Sequence, residues 1–93
     1  MAKIFVVDKD HKADIKCFEV KHDYQADLLY FIVKNEHQAK GDEKWFIVDR
    51  ESQATCKIFW TDKDYKSDVK VMKVDHEHKA KWKKSHKLKN QFG

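Results

Sequence analysis

A thirteen-residue repeat runs through almost the whole chain. Aligned on one phenylalanine column, it reads IFVVDKDHKADIK from Ile4, CFEVKHDYQADLL from Cys17, YFIVKNEHQAKGDEK from Tyr30, WFIVDRESQATCK from Trp45, IFWTDKDYKSDVK from Ile58 and VMKVDHEHKAKWK from Val71. Five units are thirteen residues long, and the third carries two more around Gly41-Asp42. The second column holds Phe5, Phe18, Phe31, Phe46, Phe59 and Met72; the fourth holds Val7, Val20, Val33, Val48, Thr61 and Val74. The seventh is always acidic, from Asp10 to Glu77, and the tenth is always small, from Ala13 to Ala80. A unit this short cannot bury its own apolar side. It must pack on its neighbours, so the six units form one folded body rather than separate domains.

Each unit divides into a β-branched, aromatic half and a polar half. The segment IKCFEV at residues 15–20 typifies the first: six residues, too short for an independent helix. In a strand, Phe18 and Val20 face one side while Ile15 and Cys17 face the other, so both faces are apolar. The polar half, as in DKDHKAD, suits a single helical turn, with Asp8 placed to cap it and Asp10 in its first turn. The expected core is the Phe and Val columns, with the Ala column marking tight crossings and the acidic column capping turns. Solenoids usually carry polar capping units, whereas here the first and last full units are as apolar as the middle ones. The pattern therefore favours a closed all-β arrangement that hides its strand edges. The extra residues at Gly41-Asp42 are expected to let the chain make a wider crossing.

Composition agrees with one small globular domain over residues 1–93. The chain is 41% hydrophobic and 13% aromatic, which excludes a disordered polymer although 39% of residues are charged. The longest uncharged apolar run, residues 28–33, is too short to span a membrane as a helix. The N-terminus alternates charged and apolar residues, unlike a secretory leader. Two cysteines cannot staple a secreted mini-protein, so a reducing, cytoplasmic setting is expected.

The recurring V-x5-A-D-x-K-x-F-x-V cadence, the central Gly41-Asp42-Glu43-Lys44-Trp45-Phe46 segment and the ending Ala80-Lys81-Trp82-Lys83-Lys84-Ser85-His86-Lys87-Leu88 together resemble the septoil-knot family. The family consists of small bacterial proteins long classed as a domain of unknown function. The resemblance covers essentially residues 3–88. It implies a short all-β chain wound through itself as a deep, seven-crossing torus knot. True knots are very rare, so the knot is implied by the resemblance and not by the periodicity. Lys40 and Thr55 depart from the Asp that follows Ala in other units, and Ser67 departs from Ala. The family supplies no catalytic residues to carry over.

Chemistry-bearing residues are few. From residue 76 onward six lysines face the single acid Glu77, which makes residues 79–93 a basic C-terminal tail. Lys79, Lys81, Lys83, Lys84, Lys87 and Lys89, with the Trp82 indole available to stack on a base, are the candidate nucleic-acid or acidic-partner contacts. Arg50 is the only arginine, which argues against base-edge reading and bidentate phosphate grips. A solvated, partly disordered end, with Trp82 filling the column of Ile15, Leu28 and Val69, is the competing expectation and the favoured one. His76-x-His78 beside Asp75 and Glu77 is the densest metal-like cluster, yet it lacks four convergent ligands. The Asp8-x-Asp10 and Asp62-x-Asp64 pairs lack the glycine and distal glutamate of a calcium loop. Cys17 and Cys56 fall in apolar columns, as buried small hydrophobes do. No catalytic, cofactor-binding or metal residue is assigned. The expected protein is a monomeric, non-enzymatic structural or interaction module of high kinetic stability, with no cofactor and no defined partner. Binding through the Lys-rich end is the alternative, and a metal-dependent enzyme a remote one.

Overall fold

The computed structural model describes residues 2–93. Seven strands alternate with six single 3-10 turns. The strands are β1 (Ala2–Val6), β2 (Ile15–Glu19), β3 (Leu28–Ile32), β4 (Lys44–Ile47), β5 (Cys56–Trp60), β6 (Val69–Lys73) and β7 (Lys81–Trp82). The turns lie at Asp10–Lys12, Asp23–Gln25, Glu36–Gln38, Glu51–Gln53, Asp64–Lys66 and Glu77–Lys79. Every unit thus makes the strand its β-branched half dictates and the turn its polar half dictates.

The first six strands close a parallel barrel in the order β4-β1-β5-β2-β6-β3, with β3 pairing back onto β4. Each pairing is staggered by two residues, so that Ile4 lies opposite Cys56, Ile58 opposite Ile15, and Cys17 opposite Val69. Such a stagger tilts the strands steeply against the barrel axis. A tilted strand climbs little along the axis, so a crossing of eight residues, such as residues 20–27, returns the chain to the start of the next parallel strand. Successive strands are separated by one intervening strand at every step except β3 to β4, which are direct neighbours. The two-residue insertion sits in that connection. It marks a narrower step around the barrel, not the wider crossing expected, because after β3 the chain must shift phase to interleave its second circuit with the first.

The barrel interior is filled by the twelfth and first columns of the repeat. Ala2 and Ile4, Ile15 and Cys17, Leu28 and Tyr30, Cys56 and Ile58, and Val69 and Val71 point inward as pairs from five strands, and β4 contributes Trp45. The Phe column does not form this core. Period-two alternation puts Phe18, Phe31 and Met72 on the outer face, where they are half-buried against Val20, Ala26, Leu29, Val74 and Ala80. The strands seal the inner face from every side, whereas the outer face is covered only by short turns. The five valines of the Val column are buried at the strand exits, and Thr61 is half-buried.

The acidic column does not cap the turns with its side chains. Residues such as Lys9, His22 and Lys63 occupy the N-cap without a side-chain bond, and Asp10, Asp23 and Asp64 lie in the first turn. Only the third turn has a capping box, made by Asn35 and Gln38. The structural acid is the aspartate after Ala. Asp14 donates its backbone N–H to the Lys57 carbonyl (2.8 Å) and accepts the Lys57 N–H on Oδ2 (3.0 Å). Asp27 does the same with Lys70, and Asp68 with Lys16. Thr55 makes the equivalent clamp on Lys3 through its hydroxyl. Of the Ala column, Ala26 and Ala39 are fully buried, and the other members are half-buried.

The C-terminal segment is part of the fold rather than a solvated tail. β7 runs antiparallel along β3 at Leu28 and Leu29, on the edge that β4 occupies further along. Beyond it, Phe92 is fully buried in the barrel cluster and stacks on Trp45 with ring centroids 5.5 Å apart. Tyr30 also stacks on Trp45, with ring centroids 4.0 Å apart. Asp42, itself buried, holds this segment: its carboxylate accepts the Trp82 indole N–H (3.0 Å) and the backbone N–H groups of Asn90 and Phe92. Its carbonyl accepts the Trp45 indole N–H at 2.6 Å. The insertion therefore also supplies the anchor for the C-terminal segment.

Candidate functional site

Outside the barrel, the side chains of Leu29, Met72 and Val74 floor a groove of about 640 Å³. The turns at Asp23–Gln25 and Glu77–Lys79 approach it from either side, because β3 and β6 are neighbours and each carries its own turn past the sheet. Lys21, Lys73, Lys79, Lys81 and Lys83 line it, with His22 and His78, against only two carboxylates, Asp23 and Asp75. Lys83 approaches Asp23 at 4.0 Å, while Glu77 turns away to Lys44 at 3.4 Å. Lys21, Lys73, Lys79 and Lys81 have no ion-pair partner among the described residues. At the rim, Tyr24 is 71% exposed and stacks on His22, centroids 5.3 Å apart. A second groove, lined by Phe18, Glu19, Gln25, Asp64, Lys70 and Lys84, shares Lys21 and His22 with the first.

The structure divides the candidate contacts of the C-terminal segment. Lys79, Lys81 and Lys83 converge on the groove. Lys84 borders the second groove and lies 3.8 Å from Asp27. Lys87 and Lys89 are exposed on the turn that leads to Phe92 and line neither groove. Trp82 is not presented for stacking on a base. Its indole N–H is held by Asp42, its ring lies against His86 (5.5 Å), and it packs on the barrel cluster. Lys21, His22, Tyr24 and Lys73 were not singled out from sequence: strand order brings Lys21, His22 and Tyr24 beside the last unit from far along the chain, and Lys73 lies in that unit ahead of its basic cluster. One signal was present: Lys81 occupies the clamp column that Asp14, Asp27 and Asp68 fill elsewhere, so the last unit exchanges a structural acid for a free cation.

Other reactive groups are withdrawn from chemistry. Burial pushes the Cys56 thiol up to about 12 from an ordinary 9.0, with the Asp14 and Asp42 charges adding to the effect. Burial raises Cys17 further, reinforced by Cys56 and Asp68. Both are free cysteines held as neutral thiols. Burial also raises the Tyr30 hydroxyl, aided by the Glu19 carboxylate that accepts its hydrogen bond at 3.3 Å. Among the described residues, no group of three or more His, Cys, Asp or Glu side chains is placed to hold a metal ion. His76 and His78 stack on each other, centroids 5.5 Å apart. No helix of the described residues is long and apolar enough to cross a membrane.

No curated protein and no solved structure matches the chain significantly. A family model does, over residues 1–83, a stretch that includes all seven strands and stops before Leu88 and Phe92. The interleaved parallel barrel, its thirteen-residue period and this match agree: the chain belongs to the 7(1) septoil knot domain family.

Proposed function

We propose that the protein is a non-enzymatic structural and interaction module whose selected property is resistance to unfolding. The observation that carries this reading is the interleaving of the barrel. Of the six strand pairings that close it, only β3–β4 joins strands consecutive in sequence. Unfolding must therefore separate segments that are distant along the chain before any local unit is free, and Phe92 must also leave the barrel cluster in which it is buried. A chain threaded as the family's description says must also withdraw its end through the fold. Kinetic stability is a rate set by this barrier. The module acts as a monomer, since its largest apolar faces are already spent on the barrel interior. It works in the cytoplasm, where Cys17 and Cys56 stay reduced.

The test is unfolding kinetics in denaturant, extrapolated to water, together with survival under protease. The expected unfolding rate is slower than about 10⁻⁵ s⁻¹, the slow end of small domains. Complete, reversible unfolding within seconds would overturn the reading.

A further inference from the structure

We propose that the groove between the turns at Asp23–Gln25 and Glu77–Lys79 binds single-stranded nucleic acid without sequence preference. Charge is the first argument. Five lysines and two histidines face two carboxylates there, and four of the lysines have no ion-pair partner among the described residues. Lysines left unpaired along a groove match a backbone that carries one phosphate per nucleotide. Shape and aromatic chemistry supply the second argument. The floor of Leu29, Met72 and Val74 is apolar, and Tyr24, exposed and backed by His22, offers a flat face at the rim. Bases stack on such platforms irrespective of identity, whereas an acidic peptide gains nothing from one. The neighbouring groove shares Lys21 and His22 and adds Lys70 and Lys84 against Glu19 and Asp64, so the lysines extend beyond the first groove.

The absence of arginine from either groove sets the specificity. Lysine meets phosphate as a point charge and does not grip it bidentately or read guanine edges as arginine does. Duplex DNA buries the base faces that Tyr24 would stack on, so single strands are preferred. Binding goes beyond the structural role proposed above and does not depend on it. A rapidly unfolding protein could still bind, and a kinetically stable one could fail to.

The experiment is fluorescence anisotropy of a labelled oligothymidylate with the full-length protein at low and near-physiological salt. With four phosphates neutralised, affinity should fall about 50-fold between 50 and 200 mM salt. Lys73→Glu and Lys81→Glu should each weaken binding and flatten the salt dependence. Tyr24→Ala should weaken it about tenfold with the salt dependence unchanged. Lys12→Glu, on the turn between β1 and β2 across the barrel, should leave binding as it was. These side chains are exposed, and circular dichroism confirms that each variant folds. No binding at low salt by the folded protein overturns the proposal. Binding of polyglutamate as tight as that of the oligonucleotide, or a Tyr24→Ala chain that binds like the parent, overturns it in favour of an acidic-peptide surface.

Discussion

Asp27 carries a task that neither its charge nor its column would suggest in isolation. It bonds the backbone of β6 twice, once through its own N–H to the Lys70 carbonyl and once through its carboxylate to the Lys70 N–H. Lys84 and His86 each approach the same carboxylate at 3.8 Å. The clamp therefore satisfies a backbone donor at the start of β6 where the regular ladder has yet to begin. Asp27→Ala leaves that donor without its partner and should cost about 1–3 kcal/mol, read as a lowered urea midpoint after full equilibration. Asp27→Asn keeps an acceptor oxygen and should lose clearly less. Equal losses would mean that the charge, and not the hydrogen bond, is what matters.

At the scale of elements, the connection between β3 and β4 joins two functions in one insertion. Gly41 takes a positive φ of 73°, a region that favours glycine, and lets the chain pass to the adjacent strand. Asp42 then gathers the Trp82 indole and the N–H groups of Asn90 and Phe92. These contacts bind the C-terminal segment to the middle of the chain. Asp42→Ala removes the acceptor for three donors at once, and the loss should reach at least about 3 kcal/mol. The expected signature is local: amides of residues 88–92 should lose hydrogen-exchange protection while those of β2 and β5 keep most of theirs. Uniform loss across all strands would show that the segment and the barrel open as one unit.

The whole molecule couples its thiols to global opening. Cys17 and Cys56 face the barrel interior and are fully or almost fully buried, 0% and 1% exposed. Burial raises both thiols above their ordinary 9.0, Cys56 up to about 12. Above about pH 9 the unfolded chain sheds thiol protons that the folded barrel retains. Stability is therefore fully present below pH 9 and falls from there toward about pH 12, where Cys56 ionises in place. Urea midpoints measured from pH 7 to pH 10 should decline, and Cys17→Val with Cys56→Val should make the decline shallower. In the native state a thiol reagent should react only as fast as the barrel opens. Instant labelling of either cysteine at neutral pH would contradict that burial.

The repeat alone determined that the protein is all-β and that six similar strand–turn units build it, and it favoured a closed arrangement over a solenoid. Those conclusions follow from period and residue type, which are local properties. Period two also showed correctly that Ile15 and Cys17 share one face and Phe18 and Val20 the other. Which face is the interior was decided only by tertiary structure, because both are apolar and the stagger between strands, not their composition, encloses the first. The interleaved order was likewise invisible: Asp27 clamps Lys70, and Lys21 meets Lys79, across separations that no window along the sequence connects. The lysines of the last unit were legible as a basic cluster. Their partition into groove, ion pair and exposed turn was not, because Asp42 and Phe92 fix that segment through contacts with the middle of the chain and the barrel core.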